Sequence, residues 1–366
     1  MEEEKKFSEE LSESVSPNTQ EGNNTEEISS EDLHGENLTD RVKVLSPTQM
    51  VLKRFFRSKL SMLGLVTLIV LFVFSFVGPI FSPWDGSEHD NNKANIKPIF
   101  VPQTIEYIVD GEIYYAYDIT ESMPSENLKG DITWQHWLGT DENARDIFTR
   151  LMLGGRVSLT IGFVVIFLEA ILGVILGGIA GYFGGWVDQL IMRIVDILSC
   201  IPTLPIMLIL STVFEGYGIQ DMRRLYYMMI VLTLIGWVGI ARLVRGQILS
   251  LREQEFMLAA KCSGLSTGRK IFKHLIPNVM PQLIVSMTLG LGSIILTEAT
   301  LGYLGLGAPL GEATWGSMIN YAKNLEYLKF YPNFWAPPGI CITLAILAFN
   351  FVGDGLRDAF DPKMKR

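Results

Sequence analysis

The sequence predicts an all-α integral membrane protein with six transmembrane helices, a small extracytoplasmic insertion holding a β-hairpin, and a disordered N-terminal tail. Three observations carry this. Of 366 residues, 48% are apolar and only 19% charged, and the mean hydropathy is positive, a balance unusual for a soluble domain. Uncharged runs long enough to cross about 30 Å of hydrocarbon, at about 1.5 Å per helical residue, recur along the chain. The charge is also segregated: Met1 to Arg41 holds 13 acidic and 3 basic residues, leaving 26 acidic and 27 basic for the rest. The formal net charge of −9 therefore describes the tail, and the remaining body is close to neutral.

Residues 1–45 are rich in Glu, Ser, Asn and Thr and nearly without aromatics. Such a segment buries too little apolar surface to offset the entropy of ordering, so it reads as a disordered acidic cytoplasmic tail. Residues 46–84 form an amphipathic lead-in, with Lys53, Arg54, Arg57 and Lys59, followed by a first span from Leu60 to Trp84. This run is too long, and too far into the chain, for a cleaved signal peptide. Residues 85–150 change character: TIEYIVDGEIYYAYDI alternates apolar and polar residues around Asp110-Gly111, a hairpin signal. They read as the extracytoplasmic insertion.

Residues 155–357 hold five further spans. The second, about Val157 to Tyr182, carries Gly173, Gly177, Gly181 and Gly185 at four-residue spacing, a small-residue face that lets another helix approach closely. The third, about Ile191 to Phe214, is interrupted by Pro202 and Pro205, which predict a kink. The fourth runs from about Tyr226 to Val244, the fifth from about Leu283 to Leu304 and the sixth from about Ala336 to Gly353. Six spans place both termini on one side. Basic residues favour the cytoplasmic ends of spans, and their distribution puts the N-terminus, the segment 252–281 and the C-terminal residues 358–366 in the cytoplasm. Arg150, Arg156, Arg223 and Arg224 run against that assignment.

Few residues suggest chemistry within the chain. Cys200, Cys262 and Cys341 are scattered and read as buried small hydrophobes, and His34, His89, His136 and His274 lack metal-ligand spacing. The nearest approach to a nucleotide-binding loop, GLSTGRK from Gly264, has one residue too few between its glycines and Arg where Lys belongs. The chain is therefore expected not to be an enzyme. It is also expected to hold no cofactor or metal and to bind no nucleic acid. Glu169 and Glu298 fall inside apolar spans, where an ionisable group is costly and marks a candidate translocation pathway. For Glu169 a pathway role and a structural role stay open, and for Glu298 the structural role is favoured. Arg193 and Asp196, three residues apart, read as a local ion pair.

The basic stretch from Leu258 to Pro277, LAAKCSGLSTGRKIFKHLIP, reads as two short helices broken at Gly264. Composition leaves two readings open, a connecting loop and a docking surface. Ala259, Ala260, Gly264 and Pro277 match the signature loop E-A-A-x-x-x-G, nine residues, I-x-L-P of the permease subunits of bacterial dipeptide and oligopeptide ABC importers. Leu258 stands where Glu is usual, His274 where Ile is usual and Ile276 where Leu is usual. HWLGTDENARDIFTRLMLGGRVSL, GYFGGWVDQLIMRIVDIL, TEATLGYLGLG and FNFVGDGLRDAFDPK also resemble the family, specifically the second permease of its pair.

That resemblance implies the type 1 ABC importer permease fold in a bacterial cell membrane. It implies a second homologous permease, two ATPases carrying ATP and Mg, and an extracytoplasmic peptide-binding protein as partners. Ala259, Ala260, Gly264, His274 and Pro277 would belong to a loop that couples the ATPases to the spans. A permease for nickel or glutathione is the nearest alternative. A proton-coupled secondary transporter working through Glu169 and a membrane-anchored scaffold are more distant ones.

Overall fold

The computed structural model describes residues 47–82, 84, 103–109, 112–118, 136–143, 145–219, 222–308 and 312–361. The expected acidic tail lies outside the described residues, as does much of the insertion. Helix α1, Pro47–Arg57, leads into α2, Lys59–Phe81. Ser58 separates them with an extended backbone, and its hydroxyl accepts from the Ser61 N–H to cap α2. Strands β1, Gln103–Val109, and β2, Glu112–Asp118, pair antiparallel, with Val109 opposite Glu112. The expected turn at Asp110-Gly111 lies outside the described residues.

The helices α3, Ile147–Phe183, α4, Gly185–Ser199, α5, Thr203–Gly216, and α6, Met222–Leu251, follow. Next come α7, Glu255–Cys262, and α8, Thr267–Leu304. Short helices α9, Trp315–Ile319, and α10, Leu325–Phe330, precede α11, Pro332–Phe360. Among the described residues, α2, α3, α6, α8 and α11 are each long and apolar enough to cross a membrane, and α4 with α5 adds a sixth if that pair, bent by 74°, is one span.

The bend falls where Pro202 takes an extended conformation ahead of α5. Pro205 follows in the first turn of α5, where its missing N–H has no intrahelical partner to lose. Helices α3 and α8 begin furthest ahead of where the hydropathy pattern predicts. The carboxylate of Asp146 accepts from the N–H and hydroxyl of Thr149, so α3 starts at Ile147. Pro277 and Pro281 do not stop α8, because a π-type turn, Lys270–Leu275, carries the helix into them.

The bundle closes where small residues let backbones meet. A Cβ at Gly173 would lie 2.6 Å from Ile240, one at Gly177 would overlap the Ala241 carbonyl, and one at Gly181 would lie 2.9 Å from the Arg245 carbonyl. Three of the four predicted glycines thus seat α3 directly on α6. The fourth, Gly185, has a positive φ and open space around it, and it forms the turn with Gly184 between α3 and α4. Gly64 brings α2 equally close to Ala348 and Phe351 of α11. The core joins Leu159, Ile166, Ile248, Leu275, Leu283, Ile295, Trp315 and Phe349. Outward, α2 exposes Leu60, Leu63, Val66 and Val70, as a lipid-facing helix does.

Candidate functional site

The stretch singled out in the sequence packs at the end of the bundle where α3 finishes. Helix α7 ends in a Schellman motif: the Gly264 N–H bonds to the Lys261 carbonyl at 3.0 Å and the Leu265 N–H to the Ala260 carbonyl at 3.3 Å. That geometry needs a left-handed residue, and Gly264 has φ 67°. Open space surrounds its Cα, so the backbone conformation alone selects glycine here. The break at Gly264 is present, but the second helix is not separate, since Thr267 opens α8 itself.

Helix α7 presents two different faces. Met257 and Ala260 are buried against the bundle, while Leu258, Ala259 and Cys262, at helical three- and four-residue spacing, point outward. Leu258 is 56% exposed, and Phe272 on the following turn is 70% exposed. Lys261, Arg269 and Lys273 surround them, also exposed. His274 is half-buried, and its carbonyl accepts from the Asn278 side chain at 2.6 Å. Pro277 is exposed. Ala259, Ala260, Gly264, His274 and Pro277 therefore occupy one continuous segment. Its inner side is packed and its outer side is apolar with a basic rim.

Three arginines tie the neighbouring helices together, Arg252 at the head of this segment and Arg245 and Arg242 on α6. One Nη of Arg252, between α6 and α7, donates to the carbonyls of Gly181 at 3.1 Å and Tyr182 at 3.3 Å, the unsatisfied end of α3. Arg245 grips Asp188 of α4 with two bonds, at 2.5 and 2.6 Å. Arg242 donates to Asp196 at 3.1 Å and to Ser199 at 2.9 Å. The last contact corrects an expectation. Asp196 is bridged to Arg242 on α6 rather than forming a local pair with Arg193, because α6 lies alongside α4 and delivers a guanidinium to it.

Glu169 and Glu298 occupy separate places. Glu169 lies midway along α3, 8% exposed, in a notch left by Gly236 of α6: a Cβ at Gly236 would overlap its carboxylate. Glu298 accepts from the Ser158 hydroxyl at 2.8 Å, and Ser158 in turn accepts from the Trp315 N–H at 3.2 Å. It ties α3, α8 and α9 together near the start of α3. Ser158 and Glu169 are eleven residues apart, about 16 Å along a helix, so the two carboxylates do not form one site.

The start of α3 holds a charged cluster that the sequence reading did not single out. Asp141 accepts from the backbone N–H groups of Asn143 and Arg145 and from the Arg145 side chain, with Arg150 at 3.6 Å. His136 meets Asp146 at 2.9 Å, and Tyr327 of α10 donates to Glu142 at 2.8 Å. The available signal was the charge density of DENARD directly before an apolar run. Cys341 is buried as expected, but Cys200 and Cys262 are exposed, the first at the α4–α5 bend and the second on the outward face of α7. No group of three or more potential metal ligands occurs among the described residues.

Comparison with known proteins accounts for this architecture. Residues 173–366 match the binding-protein-dependent transport system inner membrane component family, and residues 46–98 match the N-terminal transmembrane domain of oligopeptide transport permease C. The chain is 38% identical to the oligopeptide transport system permease protein OppC of Bacillus subtilis, over 88% of this chain and 92% of that one. It is 38% identical to the dipeptide transport system permease protein DppC of Alkalihalophilus pseudofirmus, over 78% and 91%. With DppC of Bacillus subtilis it shares 36% identity over 88% of each chain. The chain belongs to the binding-protein-dependent transport system inner membrane component family and is a membrane component of an ABC importer, homologous to the OppC and DppC permeases.

Proposed function

We propose that this chain is the peptide-translocating permease of an ATP-driven importer, with α7 and the first turns of α8 as its coupling element. One observation carries the reading: the stretch from Leu258 to Lys273 keeps Leu258 and Phe272 exposed beside Lys261, Arg269 and Lys273, while Met257, Ala260 and Leu275 are buried in the bundle. In this account six spans cross the cell membrane with both termini in the cytoplasm, the bent pair α4–α5 counting as one. Residues 1–45 form the cytoplasmic tail, 85–150 the extracytoplasmic insertion, 155–357 the core with its coupling segment 252–281, and 358–366 the C-terminal end. Two arginines that oppose this orientation are used internally. Arg150 lies against Asp141, and Arg224 is buried, donating to Ser211 and to the Gly305 carbonyl at the end of α8.

The pathway forms against a second homologous permease, two ATPases bind ATP and Mg below, and an extracytoplasmic binding protein delivers peptide. When the ATPases close they displace α7. Arg252 passes that displacement to the end of α3, and Arg245 and Arg242 pass it to α4. Because glycines hold α3 and α6 backbone to backbone, that pair moves as a unit, and the bundle switches between inward-open and outward-open states. Glu169, midway along α3, lines or braces the moving pair. Glu298, fixed to Ser158, holds the α9 end. The names of the relatives support peptides as cargo over nickel or glutathione. Uptake of labelled peptide by the whole transporter tests the reading: it should cease when the partner ATPases are catalytically dead, and uptake that persists would favour proton coupling instead.

A further inference from the structure

The helix that precedes the first span has three distinct sides. Phe55 is 7% exposed and packs beside Gly355 of α11, and Arg54 donates to the Asp361 carbonyl at 3.0 Å. Leu52 and Phe56, four residues apart, share a second side and are 53% and 54% exposed. Lys53 and Arg57, also four apart, share a third side and are exposed, with exposed Lys59 directly beyond Ser58. A helix anchored on one side, apolar on the next and basic on the third has the pattern of one lying in the plane of a membrane surface.

What covers the exposed sides follows from continuity and charge. Leu52 and Phe56 lead into Leu60 and Leu63 of α2, which are 60% and 57% exposed on a helix that faces lipid. The apolar side of α1 therefore meets the same hydrocarbon, at its edge. Phosphate groups lie at that depth, and a guanidinium or ammonium held beside them gains charge-assisted hydrogen bonds. We infer that α1 is an interfacial helix whose basic side, Lys53 and Arg57 with Arg54 and Lys59 flanking, binds the headgroups of anionic phospholipids. A free phosphate ion would satisfy the charge but not Leu52 and Phe56, so the lipid is the ligand. This rests on the membrane reading of α2 and not on the cargo or the coupling role.

The experiment uses the full-length chain in bilayers of phosphatidylcholine containing spin-labelled phosphatidylglycerol or spin-labelled phosphatidylcholine, and measures the motionally restricted fraction of each. At low ionic strength the wild type should restrict phosphatidylglycerol at least about twofold over phosphatidylcholine, and the preference should shrink as salt rises. K53Q/R57Q, which leaves the Arg54 contact in place, should lower the preference toward one. K53R/R57K, which keeps the charge, should retain it, and so should K329Q on α10 at the other end of the bundle. An unchanged preference in K53Q/R57Q overturns the proposal. So does a preference that emerges only after residues 1–41 are removed, because the acidic tail would then be the occupant of the basic side. A preference that added inorganic phosphate abolishes at constant ionic strength also overturns it, by assigning the site to the free ion.

Discussion

The carboxylate of Glu169 on α3 occupies the space that a side chain at Gly236 on α6 would fill. The two residues are complementary, and the fit lies on the α3–α6 pair whose backbones meet at Gly177 and Gly181. Gly236→Ala should force the carboxylate out of its notch and cost about 1–3 kcal/mol, as overpacking of a close interface does, read as a lowered melting temperature in detergent. Glu169→Gln keeps the shape and should leave assembly with the partner subunits unchanged while altering uptake. Uptake at the wild-type level would assign Glu169 to bracing alone.

Arg252 tests transmission separately from docking. Its guanidinium links the residue just ahead of α7 to the carbonyl end of α3. Arg252→Ala should leave the ATPases bound and hydrolysing ATP while uptake falls by about tenfold, which corresponds to about 1.4 kcal/mol lost at the step. The measurement is the ratio of peptide transported to ATP hydrolysed, and an unchanged ratio would place the transmission elsewhere.

At the opposite end, Tyr327 gives a pH signature. Its hydroxyl donates to Glu142, which pushes its pKa up to about 12, chiefly because ionisation would break that bond and set two negative charges together. A folded value above the ordinary value of about 10 means that the contact contributes fully below about 10. Its contribution is lost as pH rises through about 12. Burial pushes Tyr321 up to about 12 as well, so tyrosinate absorbance should show one fewer group titrating near 12 in Tyr327→Phe than in the wild type, and the stability difference between the two proteins should narrow above pH 10.

The sequence makes the helical membrane body legible, because the length of an apolar run is set by the bilayer. It misplaces the starts of α3 and α8 for local reasons: Asp146 caps α3 ahead of the hydropathy rise, and the π-type turn lets α8 absorb Pro277. It also shows the glycines of α3 as a packing face without showing that Gly185 leaves that face to form a turn. Contacts between distant segments were not legible. Nothing near Asp196 in the chain says that Arg242 will reach it, and nothing near Glu169 says that Gly236 makes room for it. The helix break at Gly264 was legible because its signal is local, a left-handed glycine ending a helix. The buried cluster at Asp141 was overlooked because its charges, read in order, resemble a solvated loop.

The central claim is that the Schellman turn at Gly264 holds α7 in position to receive the ATPases, and a pair of substitutions tests it. Gly264→Asn keeps a residue that tolerates left-handed backbone, whereas Gly264→Val does not, at a cost of more than about 1–2 kcal/mol for a β-branched side chain. The Cβ that both changes add meets nothing within 4 Å. The measurement is ATP-driven peptide uptake together with retention of the ATPases on the purified permease. The account predicts normal membrane insertion in both, near-normal uptake for Asn, and lost uptake with weakened ATPase retention for Val. Wild-type uptake and retention in the valine variant would contradict it.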